Sequence, residues 1–241
     1  MPKVKHRVKI YRSGLHLAVT IFFIVIPFVF LLVFAQLTNI AKDVLFGDLA
    51  ISFVRLLIAY FIAVILAWTL AVSFFTGKRA LVALPVFDVL QSFPTFATLP
   101  LAVYFWGASN FTIIFFLVLT VIWPMLFSII SSLRLIKQDW QEAVEMSGIS
   151  GMTYIKKFIF PVSIPGLITG SLIGLGEGWE ALIATEIVVQ EKLGLGNFFQ
   201  TYASNPKITF LGIFGFLLII FSINKLIWTP LLDWSHGKLE D

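Results

Sequence analysis

The chain has 241 residues, 59% of them hydrophobic and only 12% charged, and 26 are phenylalanine. A soluble domain of this length needs far more charge to cover its surface, so an integral membrane protein of several helices is the class that composition leaves. Cysteine is absent, which excludes disulfides, thiol nucleophiles and thiolate metal sites, and the net charge of +4 matters less than where the charges fall.

In chain order, residues 1–13 hold Lys3, Lys5, Arg7, Lys9 and Arg12 and no acid. Such a run suits a signal peptide or a nucleic-acid-binding tail. The apolar block behind it, residues 14–37, is too long for a signal core and lacks a small-residue cleavage site. The sequence therefore predicts a basic anchor against anionic lipid headgroups, then a first transmembrane helix. Residues 39–48 read as a polar connection, and the second span runs from Leu49 to Phe75, interrupted by Arg55. The third apolar region, residues 80–106, carries Pro85, Pro94 and Pro100 with Asp88, Gln91 and Ser92 between them. Interior prolines remove hydrogen bonds and crowd the preceding turn, so a broken span facing protein or a water-filled path is expected.

Residues 111–133 form the fourth span. The fifth, residues 162–188, is rich in glycine, including Gly166, Gly170, Gly174 and Gly178. Small residues let helix backbones approach, which places this span centrally. Residues 189–207 read as a polar segment with a Gly194-Leu195-Gly196 turn, residues 208–228 as the sixth span, and residues 233–241 as a short tail. With the N-terminus inside, twelve of the seventeen Lys and Arg residues fall in cytoplasmic segments, three in outer ones, and Arg55 and Lys225 within spans. That bias predicts six helices with both ends cytoplasmic.

The same orientation puts the longest polar interval, residues 139–161, in the cytoplasm. Gln138 to Ser147 contains good helix formers with Trp140, Ala143, Val144 and Ser147 on one stripe. Gly148 and Gly151 bracket a break where positive φ costs little. Residues 152–160 then suit a second short helix ended by Pro161, which begins the next span. Two short helices below the membrane either present a docking surface or rest as an amphipathic hairpin on the headgroups.

The spacing of Glu142-Ala143-Val144, Gly148, Phe158 and Phe160-Pro161 resembles the EAA motif of permease subunits from bacterial ABC importers. Val144 stands where Ala is usual, and Phe158 and Phe160 where aliphatics are usual. The likeness covers about residues 49–228. Within it, Ser52-Phe53-Val54-Arg55, Phe93-Pro94, and residues 178–186 with the Gly194-Leu195-Gly196 turn resemble the nitrate, sulfonate and taurine branch. The resemblance implies an all-α type I importer permease. Its parts are a tail, first helix and outer loop (1–48), a permease core (49–230) with a coupling loop (134–161), and a cytoplasmic tail (231–241). It also implies ATPase subunits that carry the ATP and Mg, a second permease subunit, identical or related, and an extracytoplasmic solute-binding protein. Glu142, Ala143, Val144, Gly148 and Pro161 would couple to the ATPase in an inner or cytoplasmic membrane setting. The solute would be a small anion such as nitrate, a sulfonate or taurine, or another small organic nutrient. No cofactor, catalytic residue or metal site is expected on this chain, and no nucleic-acid partner.

Charge inside the membrane is expensive unless paired or wet. Arg55 is expected to pair with Glu180 or Glu186, as a structural ion pair or as part of a gate or solute contact. Gln91, Pro94 and Trp179 join them as pathway candidates, and Glu177 adds a third carboxylate that would repel an anion unless masked. His6, His16 and His236 are too scattered for a metal site. A secondary transporter subunit would show repeated halves, and a membrane enzyme a cluster of catalytic side chains. Neither pattern is found, and a membrane scaffold without an ATPase partner stays open.

Overall fold

The structure is a computed structural model that describes residues 12–240, with side chains described for 19–235. The basic residues from Lys3 to Lys9, Lys238, His6 and the side chains of Arg12, His16 and His236 lie outside what is described. Every described element is helical: α1 (Arg12–Thr38), α2 (Lys42–Phe74), α3 (Gly77–Gln91), α4 (Thr95–Trp106), α5 (Asn110–Arg134), α6 (Gln138–Met146), α7 (Gly151–Tyr154), α8 (Phe160–Val189), α9 (Leu195–Thr201), α10 (Pro206–Ile223) and α11 (Thr229–Glu240). Five described helical stretches are long and apolar enough to cross a membrane, six if α3 and α4, bent by 78° across a short break, count as one span.

The core is a sandwich of three helices with α5 in the middle. One face of α5 receives a stripe of small residues from α2: Ala59, Ala63, Ala67 and Ala71, all fully buried at four-residue spacing. The other face receives the glycine stripe of α8. A Cβ at Gly170 would lie 2.6 Å from Met125 Cα, so only glycine lets the two backbones come this close. Between them Ile113, Leu117, Val121, Met125 and Ile129 of α5 are fully buried. Polar ties cross the same layers: Trp68 Nε1 donates to Ser163 Oγ at 2.9 Å, and Tyr60 and Ser171 share a hydrogen bond of 3.0 Å. α1 packs beside α10 at the periphery through a separate cluster that includes Leu31, Phe34 and Phe198. Phe22, Phe28, Phe61 and Phe210 stay exposed, as lipid-facing bulk should.

Two expectations from sequence are corrected, and two regions are resolved in more detail. The second span starts at Lys42 rather than Leu49, because residues 42–48 add two helical turns that bury Leu45 and Asp48. Pro161 does not end a second coupling helix. The chain from α7 passes through a π-helical stretch, Ile155–Ile159, straight into α8. The wider turn alters the hydrogen-bond register ahead of the proline and absorbs its missing N–H. Within the polar segment of residues 189–207, residues 195–201 are helical, and the tail continues as α11. The expected break in residues 80–106 falls at Ser92–Pro94, while Pro85 and Pro100 are accommodated inside α3 and α4.

Candidate functional site

At one end of the sandwich, the C-terminal end of α5 and the start of the α7–α8 rod hold the loop expected to couple to an ATPase. α6 is exposed along its length, with only Val144 half-buried. Gln138 Nε2 donates to Glu142 Oε1 at 2.8 Å one turn away, which orders the Glu142 side chain on the outer surface. Gly148 has φ +70°, and a Cβ added there would meet nothing within 4 Å, so backbone sign rather than space calls for glycine. The base is pinned twice: Ser132 Oγ donates to the Val162 carbonyl at 2.8 Å, and Arg134 Nε to the Phe75 carbonyl at 3.1 Å. Pro161 stands at the first turn of α8. Glu142, Ala143, Val144 and Gly148 thus lie on one exposed element fixed to both central helices.

At the opposite end, about 45 Å away along the 30 residues of α8, sits a buried polar node. Arg55 Nη1 donates to Glu186 Oε1 at 2.6 Å and to the Leu193 carbonyl at 2.8 Å, while its Nε donates to Asn110 Oδ1 at 2.7 Å. Glu191 stands 3.6 Å from Nη2. Glu186 is fully buried and accepts in addition from Ser52 Oγ at 2.8 Å and from the Gly196 amide at 2.8 Å. The Leu195 amide donates to Ser52 Oγ and the Gly194 amide to Asp48 Oδ1, each at 2.8 Å. Gly194 has φ +127° and its missing Cβ would fall 2.6 Å from Glu186 Oε1. The Gly-Leu-Gly turn is therefore folded onto the carboxylate, and α2, α5, α8 and α9 meet there.

Of the two acids considered for Arg55, the structure brings it to Glu186. Trp179, Leu182, Glu186 and Val189 form the buried face of α8, while Glu177 and Glu180 lie on its exposed face. Glu180 has no hydrogen bond or ion pair among the described residues. Trp179 packs between Phe53 and Phe216, with ring centroids 6.0 and 5.1 Å away. Asp48 and Asn110 were not singled out from sequence, and Ser52 entered only through the resemblance of residues 52–55 to the nitrate, sulfonate and taurine branch. The signal was present: Asp48, Ser52 and Arg55 recur at helical spacing and so share a face.

Gln91 and Pro94 lie elsewhere, at the α3–α4 break, where with Thr95, Thr120, Trp123 and Glu177 they line a cavity of about 600 Å³. A second cavity of about 540 Å³ shares Phe127 and Ser128 with the first and extends to Lys137 and Trp140 at the root of α6. A groove therefore follows α5 from mid-span to the coupling loop.

Comparison with known proteins shows a family. Residues 59–227 match the profile of the binding-protein-dependent transport system inner membrane component family. The chain is 29% identical over 182 residues to the nitrate import permease protein NrtB of Leptolyngbya laminosa, covering 72% of this chain and 65% of that protein. It is 30% identical over 141 residues to the bicarbonate transport system permease protein CmpB of Synechococcus elongatus, with 56% and 51% covered. To the taurine transport system permease protein TauC of Escherichia coli it is 28% identical over 181 residues, with 72% and 66% covered. The matched segments thus span between about half and two thirds of these relatives.

Proposed function

Because the chain belongs to the binding-protein-dependent transport system inner membrane component family, we propose that it is a permease subunit of an ATP-driven importer. In this reading the chain is a multi-pass protein of the inner membrane, and the groove along α5 is one wall of the solute path. ATP and Mg bind to separate ATPase subunits, a second permease subunit closes the path, and a solute-binding protein delivers the solute. The named relatives import nitrate, bicarbonate and taurine, so the solute is a small polar molecule bearing an acidic group.

The observation that carries the proposal is the exposed α6 joined to the close-packed α5–α8 pair. An ATPase that grips α6 and moves it on ATP binding displaces a rigid unit, because backbones in direct contact cannot slide independently. In that docking Glu142 supplies charge-assisted contacts, Ala143 and Val144 an apolar patch, and Gly148 the turn that presents them. The Arg55–Glu186 node holds the far end of the same unit.

The test is co-purification of the detergent-solubilised chain with its co-expressed neighbours. An ATPase subunit is expected with the parent chain and not with Glu142→Lys plus Gly148→Trp. Capture of no P-loop protein by the parent would overturn the proposal and leave α6 as a membrane-surface helix.

A further inference from the structure

The cavity at the α3–α4 break carries one charge. Glu177 projects from the exposed face of α8, and Gln91, Thr95, Thr120 and Ser128 supply the neutral polar groups of the lining. Glu177 has no hydrogen-bond or ion-pair partner among the described residues. An unpaired carboxylate in the middle of a span is retained where water or a ligand covers it.

Among the described residues no cation lines this cavity. Arg55 is spent on Glu186, Asn110 and the Leu193 carbonyl. Lys137 lines the neighbouring cavity, its Nζ 5.9 Å from the Trp140 ring centroid. The charges nearest in sequence are acidic as well: Glu180 lies one turn along α8, and Asp88 sits three residues before Gln91 and within 3.4 Å of its amide. Among the described residues, a bare anion entering this cavity meets like charge and no guanidinium or ammonium. A cationic nitrogen finds a charge-assisted acceptor.

We propose that the solute presents a cationic nitrogen, an ammonium or a protonated heterocycle, to Glu177, and is therefore a zwitterion rather than a simple inorganic anion. This rests on the permease reading and narrows it: an acidic group is compatible with the site only when the same molecule also carries the nitrogen.

The natural absence of cysteine allows a direct test in membranes containing the full chain and its co-expressed partners. A single Thr120→Cys is labelled with a trimethylammonium-bearing and a sulfonate-bearing methanethiosulfonate reagent, and Ser73→Cys, in a groove on the other side of the bundle, serves as reference. The cationic reagent is expected to react about tenfold faster at residue 120 after correction by the reference. Glu177→Gln should collapse that preference, and Glu177→Asp should keep it. A preference for the anionic reagent, or a ratio that Glu177→Gln leaves unchanged, overturns the inference. So does ATP-driven accumulation of nitrate or bicarbonate by the reconstituted importer, a result that would uphold the permease reading itself.

Discussion

Glu186 is held by three groups from two parts of the chain, Ser52 and Arg55 of α2 and the Gly196 amide of α9, and its removal leaves more than a lost contact. With Glu186→Gln the Arg55 guanidinium keeps its burial and loses its nearest countercharge, leaving only the more exposed Glu191 at 3.6 Å. Breaking a buried pair from one side costs about 3 kcal/mol or more. The variant should lose most of its monodisperse fraction at a temperature the parent withstands, read by size-exclusion chromatography after heating. Arg55→Lys should be nearly as damaging, because one ammonium cannot reach Asn110, Glu186 and the Leu193 carbonyl in the fork geometry that the guanidinium spans. If Arg55→Lys instead matches the parent, the node is a looser cluster than its distances imply. Sequence narrowed the partner of Arg55 to two acids. Helical phase separates them, since Glu186 lies four residues after the buried Leu182 and Glu180 three residues after the exposed Glu177. The amide donors of the Gly194-Leu195-Gly196 turn were not legible, because main-chain hydrogen bonds to a distant carboxylate leave no residue-type signature.

Two glycines separate packing from function at the level of elements. Gly170→Leu forces side-chain volume into the α5 backbone and should lower thermal stability of the purified chain by about 2 kcal/mol or more. Gly148→Val meets no steric neighbour, yet strains a backbone at φ +70°. It should cost about 1–2 kcal/mol, confined to an exposed loop, while reducing capture of the ATPase several-fold. A Gly148→Val chain that retains full capture would show that the turn does not present the docking surface. The long apolar spans and the broken third region were readable because their hydropathy and prolines act locally. The continuity of α7 with α8 was not, because a proline normally stops a helix and only the π turn before it lets the rod continue. α9 was hidden for a related reason: its seven residues are anchored by the polar node rather than by their own periodicity.

Across the whole molecule, the exposed face of α8 carries Ile173, Gly176, Glu177 and Glu180 beside a groove open along α5. Hydrocarbon is a poor neighbour for two carboxylates, so protein and water belong on that face. A second copy there should bring Ile173→Cys within crosslinking reach of its equivalent. Mild oxidation should give a dimer on a non-reducing gel, whereas Phe22→Cys on the lipid-facing side of α1 should stay monomeric. Crosslinking at residue 22 and none at residue 173 would place the partner on the wrong side of the bundle. Composition made the membrane class plain, but the sidedness of each helix emerged only once the alanine and glycine stripes were seen to grip α5 from both sides.

The buried pair also imposes a timetable on synthesis. Arg55 and Glu186 are separated by 131 residues, so α2 is inserted before its countercharge has been made. At about 5–20 residues per second the interval is roughly 7–26 s. Throughout it a lone guanidinium must wait at the membrane, for about 2.5–3.5 kcal/mol on insertion scales. The strongly apolar remainder of α2 is what can tolerate that wait. Chains truncated before residue 186 and released should therefore hold α2 less firmly than released chains that extend past residue 196, in which the carboxylate and the turn that folds over it can both reach Arg55.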